Sequence, residues 1–232
     1  MRLRNGLGLG AVVVVGVAAC TTPRMVVPAE VAAKAEEVPA TDRSSMSGAL
    51  ADESFKLGQY AITDVDREWN STETSKTFGF TNASTTGGYS FKVKGPEGEM
   101  GGGCLTEGED KSKELGDGVT FSKTKARIGC TCRGDGDAVK FVMSASTGDK
   151  YDGELTTRKA TYKLWALYDT ENTLSTGDPS GYRIDNEGGP YGAVEVLKPG
   201  RAWFPKGMDA GERADLTCLY AGLMLYMPPN DF

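Results

Sequence analysis

From Phe55 onward, apolar and polar residues alternate in short runs. A period of two predicts β-strands with one buried face. The stretch 55–62 opens the series. Tyr89-Ser90-Phe91-Lys92-Val93-Lys94 alternates cleanly and stops at Gly95-Pro96. The stretch 126–133 alternates again, with Cys130 and Cys132 on one face, and ends in Gly134-Asp135-Gly136. Two more apolar strands are expected over 139–145 and 160–168. The stretches 192–197 and 201–204 flank Lys198-Pro199-Gly200, a hairpin-like turn.

The pattern changes at the C-terminus. Asp209-Ala210-Gly211-Glu212 places an acid in the cap position three residues before a Glu, as a capping box does. A helix is expected over 210–227, ending before Pro228-Pro229. From Leu216 the run LTCLYAGLMLYM is apolar on nearly every face. Twelve helical residues rise only ~18 Å, too little to cross a bilayer. A helix apolar all round has to be enclosed by protein. The expected fold is therefore mainly β: a strongly curved antiparallel sheet or open barrel packed on or around a hydrophobic C-terminal α-helix. The plainer alternative is one helix lying against a sheet.

In element order, the strands through Phe204 followed by the helix over 214–227 resemble the tubby and scramblase-like fold, in which β-strands wrap a hydrophobic terminal helix. That family includes lipid-binding and scramblase-related members. The chain shows no basic phosphoinositide patch, and the resemblance transfers no functional residue.

The N-terminus reads differently. Arg2 and Arg4 precede fourteen apolar residues, 6–19, which is secretory-signal length rather than membrane-span length. Val17-Ala18-Ala19-Cys20 resembles the lipobox of bacterial lipoproteins. The resemblance implies removal of 1–19 and diacylglycerol on the Cys20 thiol. With Thr21 in place of an inner-membrane Asp, it points to the outer membrane rather than the inner. Residues 20–54 contain Pro23, Pro28 and Pro39 and lack aromatics, so a flexible lipidated tether is expected there. One β-rich domain over 55–232 should follow. The expected setting is the bacterial cell envelope.

Composition narrows the chemistry. The chain has no His, which excludes Ser/His/Asp and Cys/His nucleophile schemes. Its formal charge of -6, or -8 once Arg2 and Arg4 are removed, argues against nucleic acid as a partner. Attachment to the membrane should run through the acyl group. The 31 glycines read as a turn excess, with Gly87-Gly88, 101–103, 116–118 and Gly188-Gly189 between strands. Of five cysteines, Cys20 belongs to lipid. Cys104, Cys130, Cys132 and Cys218 then form two disulfides, as suits an exported domain. Cys130 and Cys132, at i and i+2, are poorly placed for each other. One should pair with Cys104 and the other with Cys218; the spacing leaves open which.

No residue is selected for catalysis, cofactor binding or metal binding. Ser112-Lys113 and Ser122-Lys123 lack the i,i+3 geometry of a Ser–Lys pair. The acids Glu97, Glu99, Glu107, Glu109, Asp110, Asp135, Asp137, Asp185 and Glu187 offer carboxylates for a glycosidase pair, but no spacing selects two. Asp135-Gly136-Asp137 and Asp185-Asn186-Glu187-Gly188 resemble only fragments of calcium loops. Tyr162, Trp165 and Tyr168, with Trp203 and Phe204, are candidates for an aromatic groove. The expected role is a lipid-anchored binding or structural protein with an envelope protein, glycan or lipid as ligand. The alternative is an envelope hydrolase acting through carboxylates.

Overall fold

A computed structural model describes residues 22–44, 52–77, 80–114, 120–146, 150–171, 173 and 177–227. The elements in chain order are β1 (Arg24–Met25), α1 (Ala29–Lys34), β2 (Ala35–Thr41), β3 (Phe55–Leu57), β4 (Tyr60–Thr77), β5 (Phe80–Gly95), β6 (Gly98–Glu114) and β7 (Thr120–Arg133). They continue as β8 (Val139–Ser146), β9 (Asp152–Thr156), β10 (Thr161–Leu167), β11 (Thr170–Glu171), β12 (Gly181–Asn186), β13 (Gly189–Glu195), β14 (Arg201–Pro205) and α2 (Ala210–Leu225).

Twelve strands close into an antiparallel barrel in the order β10-β12-β13-β14-β2-β3-β4-β5-β6-β7-β8-β9. The expected curved sheet around a helix is present, and it is closed rather than open. Period-two alternation sets the faces. Tyr89, Phe91 and Val93 point inward from β5, Val139, Phe141 and Met143 from β8, and Tyr162, Leu164 and Ala166 from β10. Lys92, Lys94, Lys140 and Lys163 point out between them. Closure removes the sheet edges that would otherwise invite pairing with another chain.

The C-terminal helix fills the lumen. Every α2 residue from Ala214 to Leu225 is buried, and Leu216, Cys218, Leu219, Tyr220 and Leu223 are fully so. The side chains of α2 and of the inward strand positions form one core. Asp209 caps the helix as expected, its Oδ1 accepting from the Glu212 backbone N–H at 3.1 Å.

Three sequence expectations change. First, the described part of 20–54 is not a flexible tether. β2 lies in the barrel wall between β14 and β3. β1 pairs with β11, and α1 lies against β13 and β14. The folded region thus begins well before residue 55. Second, 55–62 is not one strand, because Gly58, with φ +61°, turns β3 back into β4. Third, Gly87, Gly88 and 101–103 lie inside β5 and β6 rather than in turns. Residues 116–118 fall outside the described residues. Glu187-Gly188 does turn, between β12 and β13.

Four strands outrun the barrel. β4 to β7 pair with one another over 14–18 residues each, whereas β3 pairs with β4 only at 60–62 and β8 reaches β7 only from Lys125 onward. Their outer ends form a four-stranded extension whose visible side chains are mostly Ser, Thr, Glu and Lys. Ser71 pairs with Thr86 and Thr72 with Thr85 through their hydroxyls, at 2.8 and 3.1 Å.

Candidate functional site

The lumen of a barrel is the usual place for a ligand; here α2 occupies it, and chemistry collects at the two ends of that helix. The cysteines lie between. Ile128, Cys130 and Cys132 point inward from β7, so both cysteines face the helix. Cys104 is the register partner of Cys130 across β6 and β7, and these two form one disulfide with Cα atoms 4.0 Å apart. Cys132 bonds Cys218 of α2, with Cα atoms 6.3 Å apart. The two expected bridges are present, and their partners are now assigned.

At the N-terminal end of α2, three acids meet three kinds of partner. Asp209 pairs with Lys159. Asp215, 1% exposed, accepts from Arg158 Nε at 3.0 Å and Nη2 at 2.6 Å, and from the Arg158 backbone N–H at 3.2 Å. Glu212 accepts from the hydroxyls of Tyr162 and, at 3.2 Å, Tyr191. Burial, with the Glu212 carboxylate beside it, raises the Tyr162 hydroxyl pKa well above its ordinary value. Asp215 and Glu212 are the buried carboxylates nearest to a catalytic pair, at i and i+3 on one helix. Asp215 is held by Arg158 of the β9–β10 loop, and Glu212 by Tyr162 and Tyr191 of the barrel wall. Acids near the positive end of a helix are favoured there, and these fasten that end.

The opposite end has the opposite charge. The last turn of α2 carries no basic residue of its own. Arg43, from the loop after β2, donates to the carbonyls of Met224, Val196 (3.2 Å) and Pro199 (3.1 Å). Arg67 of β4 donates to the Leu225 carbonyl at 2.8 Å and to both carboxylate oxygens of Glu53. These cations satisfy the carbonyls that a helix C-terminus leaves orphaned. Burial lowers the Arg43 pKa to about 10, with Glu53 partly offsetting it. A cleft of about 110 Å³ opens here beside Lys198. Arg43, Arg67 and Glu53 line it as well.

The other candidates disperse. Tyr162 points into the barrel and Trp165 out of it, while Tyr168 follows the end of β10. Phe204 faces the lumen against Tyr220, with ring centroids 5.3 Å apart, whereas Trp203 faces outward beneath Met25, Val31 and Ala35. No aromatic groove forms from them. Glu107 sits opposite Arg127 and Glu109 opposite Lys125, a cross-strand charge pattern on the outer wall. Glu99 pairs with Lys92 and Lys94, Glu97 accepts from Tyr60, and Asp185 pairs with Arg183. Asp135 and Asp137 line a second cleft with Glu97, Glu99 and Arg158. Asn186 Oδ1 accepts from the Gly188 N–H at 2.8 Å, so it caps a turn. Among the described residues, no group of three or more Cys, Asp or Glu is arranged to hold a metal ion. Ser112 and Ser122 are register partners in β6 and β7. The side chains of Ser112, Lys113, Ser122, Lys123 and Asp110, and the whole of Cys20, lie outside the described residues.

A further cluster, absent from the candidates drawn from the sequence, surrounds Glu195. Glu195, fully buried, accepts from the Met25 backbone N–H at 2.6 Å, from Arg201 Nε at 2.7 Å and from Arg24 at 3.3 Å. It ties the N-terminal segment to the outer wall. A lone acid inside Ala193-Val194-Glu195-Val196 was the available signal, since a charge in an apolar strand needs a partner. No protein family, characterised protein or solved structure matches the chain.

Proposed function

We propose that the protein is an exported, lipid-anchored β-barrel of the bacterial cell envelope with a non-catalytic, binding or structural role. One observation carries the non-catalytic part. The lumen is occupied by α2, and the buried carboxylates beside it are taken up by Arg and Tyr partners. A partner, whether envelope protein, glycan or lipid, then meets the outer wall or the β4–β7 extension. Two disulfides suit an oxidising compartment, and Val17-Ala18-Ala19-Cys20 supplies the anchor. No helix among the described residues is long and apolar enough to cross a membrane. The barrel's outward Lys, Arg and Glu are the reverse of what a lipid-embedded barrel wall carries. Enclosure of α2 also supports the tubby-like reading of the element order.

The anchor is tested by Cys20→Ala in cells fed a labelled fatty acid. The wild-type chain should take up label and sediment with membranes. The variant should lose the label and keep its signal segment. A variant processed and fractionated like the wild type would overturn the reading.

A further inference from the structure

The N-terminal segment that follows Cys20 is fixed to one side of the barrel. Arg24 pairs with Glu171 and Met25 with Thr170. Met25 is fully buried, its backbone N–H donating to Glu195 and its carbonyl accepting from Arg201 at 3.3 Å. The Val26 N–H donates to the Asp169 carbonyl at 3.0 Å. Only four residue steps separate Cys20 from Arg24, a reach of about 14 Å fully extended. The headgroup layer alone takes up about 5–8 Å of that. A lipid on Cys20 therefore leaves the barrel almost no slack.

We infer that the outer face bearing β1, β11 and β10 docks directly on the bilayer that holds the Cys20 lipid. This rests on the lipid-anchor reading above. The side chains at that face fit the occupant. Val26 is 43% exposed and Trp165 is 42% exposed, two of only four large apolar side chains exposed among the described residues. Trp165 and Leu167 share the outer face of β10, and Leu167 packs on the cluster containing Met25. Trp165 lies four residues before Asp169, the partner of Val26, about 13 Å along the strand direction. Tryptophan is suited to the headgroup level, where its ring is half apolar and half wet. Around it Arg24 pairs with Glu195, Lys163 with Glu154 and Arg183 with Asp185, and Glu171 and Asp169 add two further negative charges. Contact with lipid is thus apolar, and zwitterionic headgroups suit this face better than anionic ones.

The test uses the full chain expressed with its signal, purified from membranes and reconstituted in phosphatidylcholine vesicles whose acyl chains carry bromine near the headgroup. Mass analysis of the Cys20 peptide is read alongside. Acylated wild-type protein should lose tryptophan emission in brominated relative to plain vesicles. That loss should vanish in Trp165→Phe. It should also shrink when twenty Gly/Ser residues are inserted between Thr21 and Thr22, which frees the barrel from the surface. Acylated protein with no loss of Trp165 emission would overturn the docking alone. A Cys20 peptide without lipid would overturn the anchor and the docking together.

Discussion

Gly102 faces the lumen from β6, directly opposite Phe91 of β5, and the Phe91 ring occupies the space where a Cβ would stand. Gly95 stands in the same relation to the Tyr60 ring. These glycines are packing positions: an aromatic side chain covers the backbone of its neighbour strand, and the barrel closes around a helix without a void. Gly101 and Gly103 flank the site and have open space around their missing Cβ. The contrast gives a prediction. Gly102→Ala forces Phe91 out of its place and should lower stability by about 1–3 kcal/mol, the range for overpacking a core. Gly103→Ala should be neutral or stabilising by up to about 1 kcal/mol, because glycine weakens a strand interior. Urea unfolding of the two variants separates them, and equal effects would sink the packing account. Gly222 makes the same point in α2. A Cβ there would come within 3.2 Å of the Cys130 sulfur and 3.3 Å of the Cys104 sulfur.

The element on which the architecture depends is α2, an apolar rod held in three places. Acid partners hold its first turns, arginines its last carbonyls, and the Cys132–Cys218 bond its middle. The two disulfides close chain segments of different length, with sequence separations of 86 and 26. By loop-closure entropy, removing the longer link should cost about 4–5 kcal/mol and the shorter about 3.5. Cys132→Ala with Cys218→Ala should therefore lower the denaturation midpoint more than Cys104→Ala with Cys130→Ala. The reverse order would show that the wall bond matters more than the bolt. Much of this element was legible in the sequence. Asp209 and Glu212 mark its start, and an apolar surface on all sides demands enclosure. The N-terminal strap was not legible. In β2 the inward apolar residues are only Val38 and Ala40, with Pro39 between them, while Ala35 packs outside against Met25, Val31 and Trp203. In α1 the one buried side chain is Val31. Such segments are placed by the strands they meet more than 160 residues later, β13 and β14, which no local pattern reveals. The strand glycines Gly95 and Gly102 are hidden from a local pattern for the same reason: what requires each is a ring on another strand.

At the scale of the whole molecule the barrel is apolar within and charged without, and its interior is unusually phenolic. Burial is the leading cause that raises the hydroxyl pKa of Tyr89, Tyr151, Tyr162, Tyr182, Tyr191, Tyr220 and Tyr226, and it pushes Tyr60, beside the Glu97 carboxylate, up to about 12. In the unfolded chain each hydroxyl would ionise near pH 10. A raised folded pKa means that the folded state keeps its protons when the unfolded state has released them. The associated stability is complete below pH 10 and is lost as pH rises through the folded values. Arg43, lowered to about 10, and Lys198, also lowered by burial, act in the opposite sense over the same window. Two groups against eight do not reverse the sign. Stability should thus be level from pH 7 to about pH 9.5 and fall steeply above it. Tyrosinate absorbance at 295 nm, followed with near-ultraviolet circular dichroism after a pH jump, reads the two events together. The enclosed hydroxyls of Tyr89, Tyr182 and Tyr220 should ionise in one cooperative step that coincides with loss of the dichroism, because water reaches them only when α2 and the wall part, whereas the partly exposed Tyr151 and Tyr191 ionise ahead of them. Gradual ionisation of all nine tyrosines with the dichroism intact would mean that water already enters the lumen, and the solid barrel on which the non-catalytic reading stands would have to be abandoned.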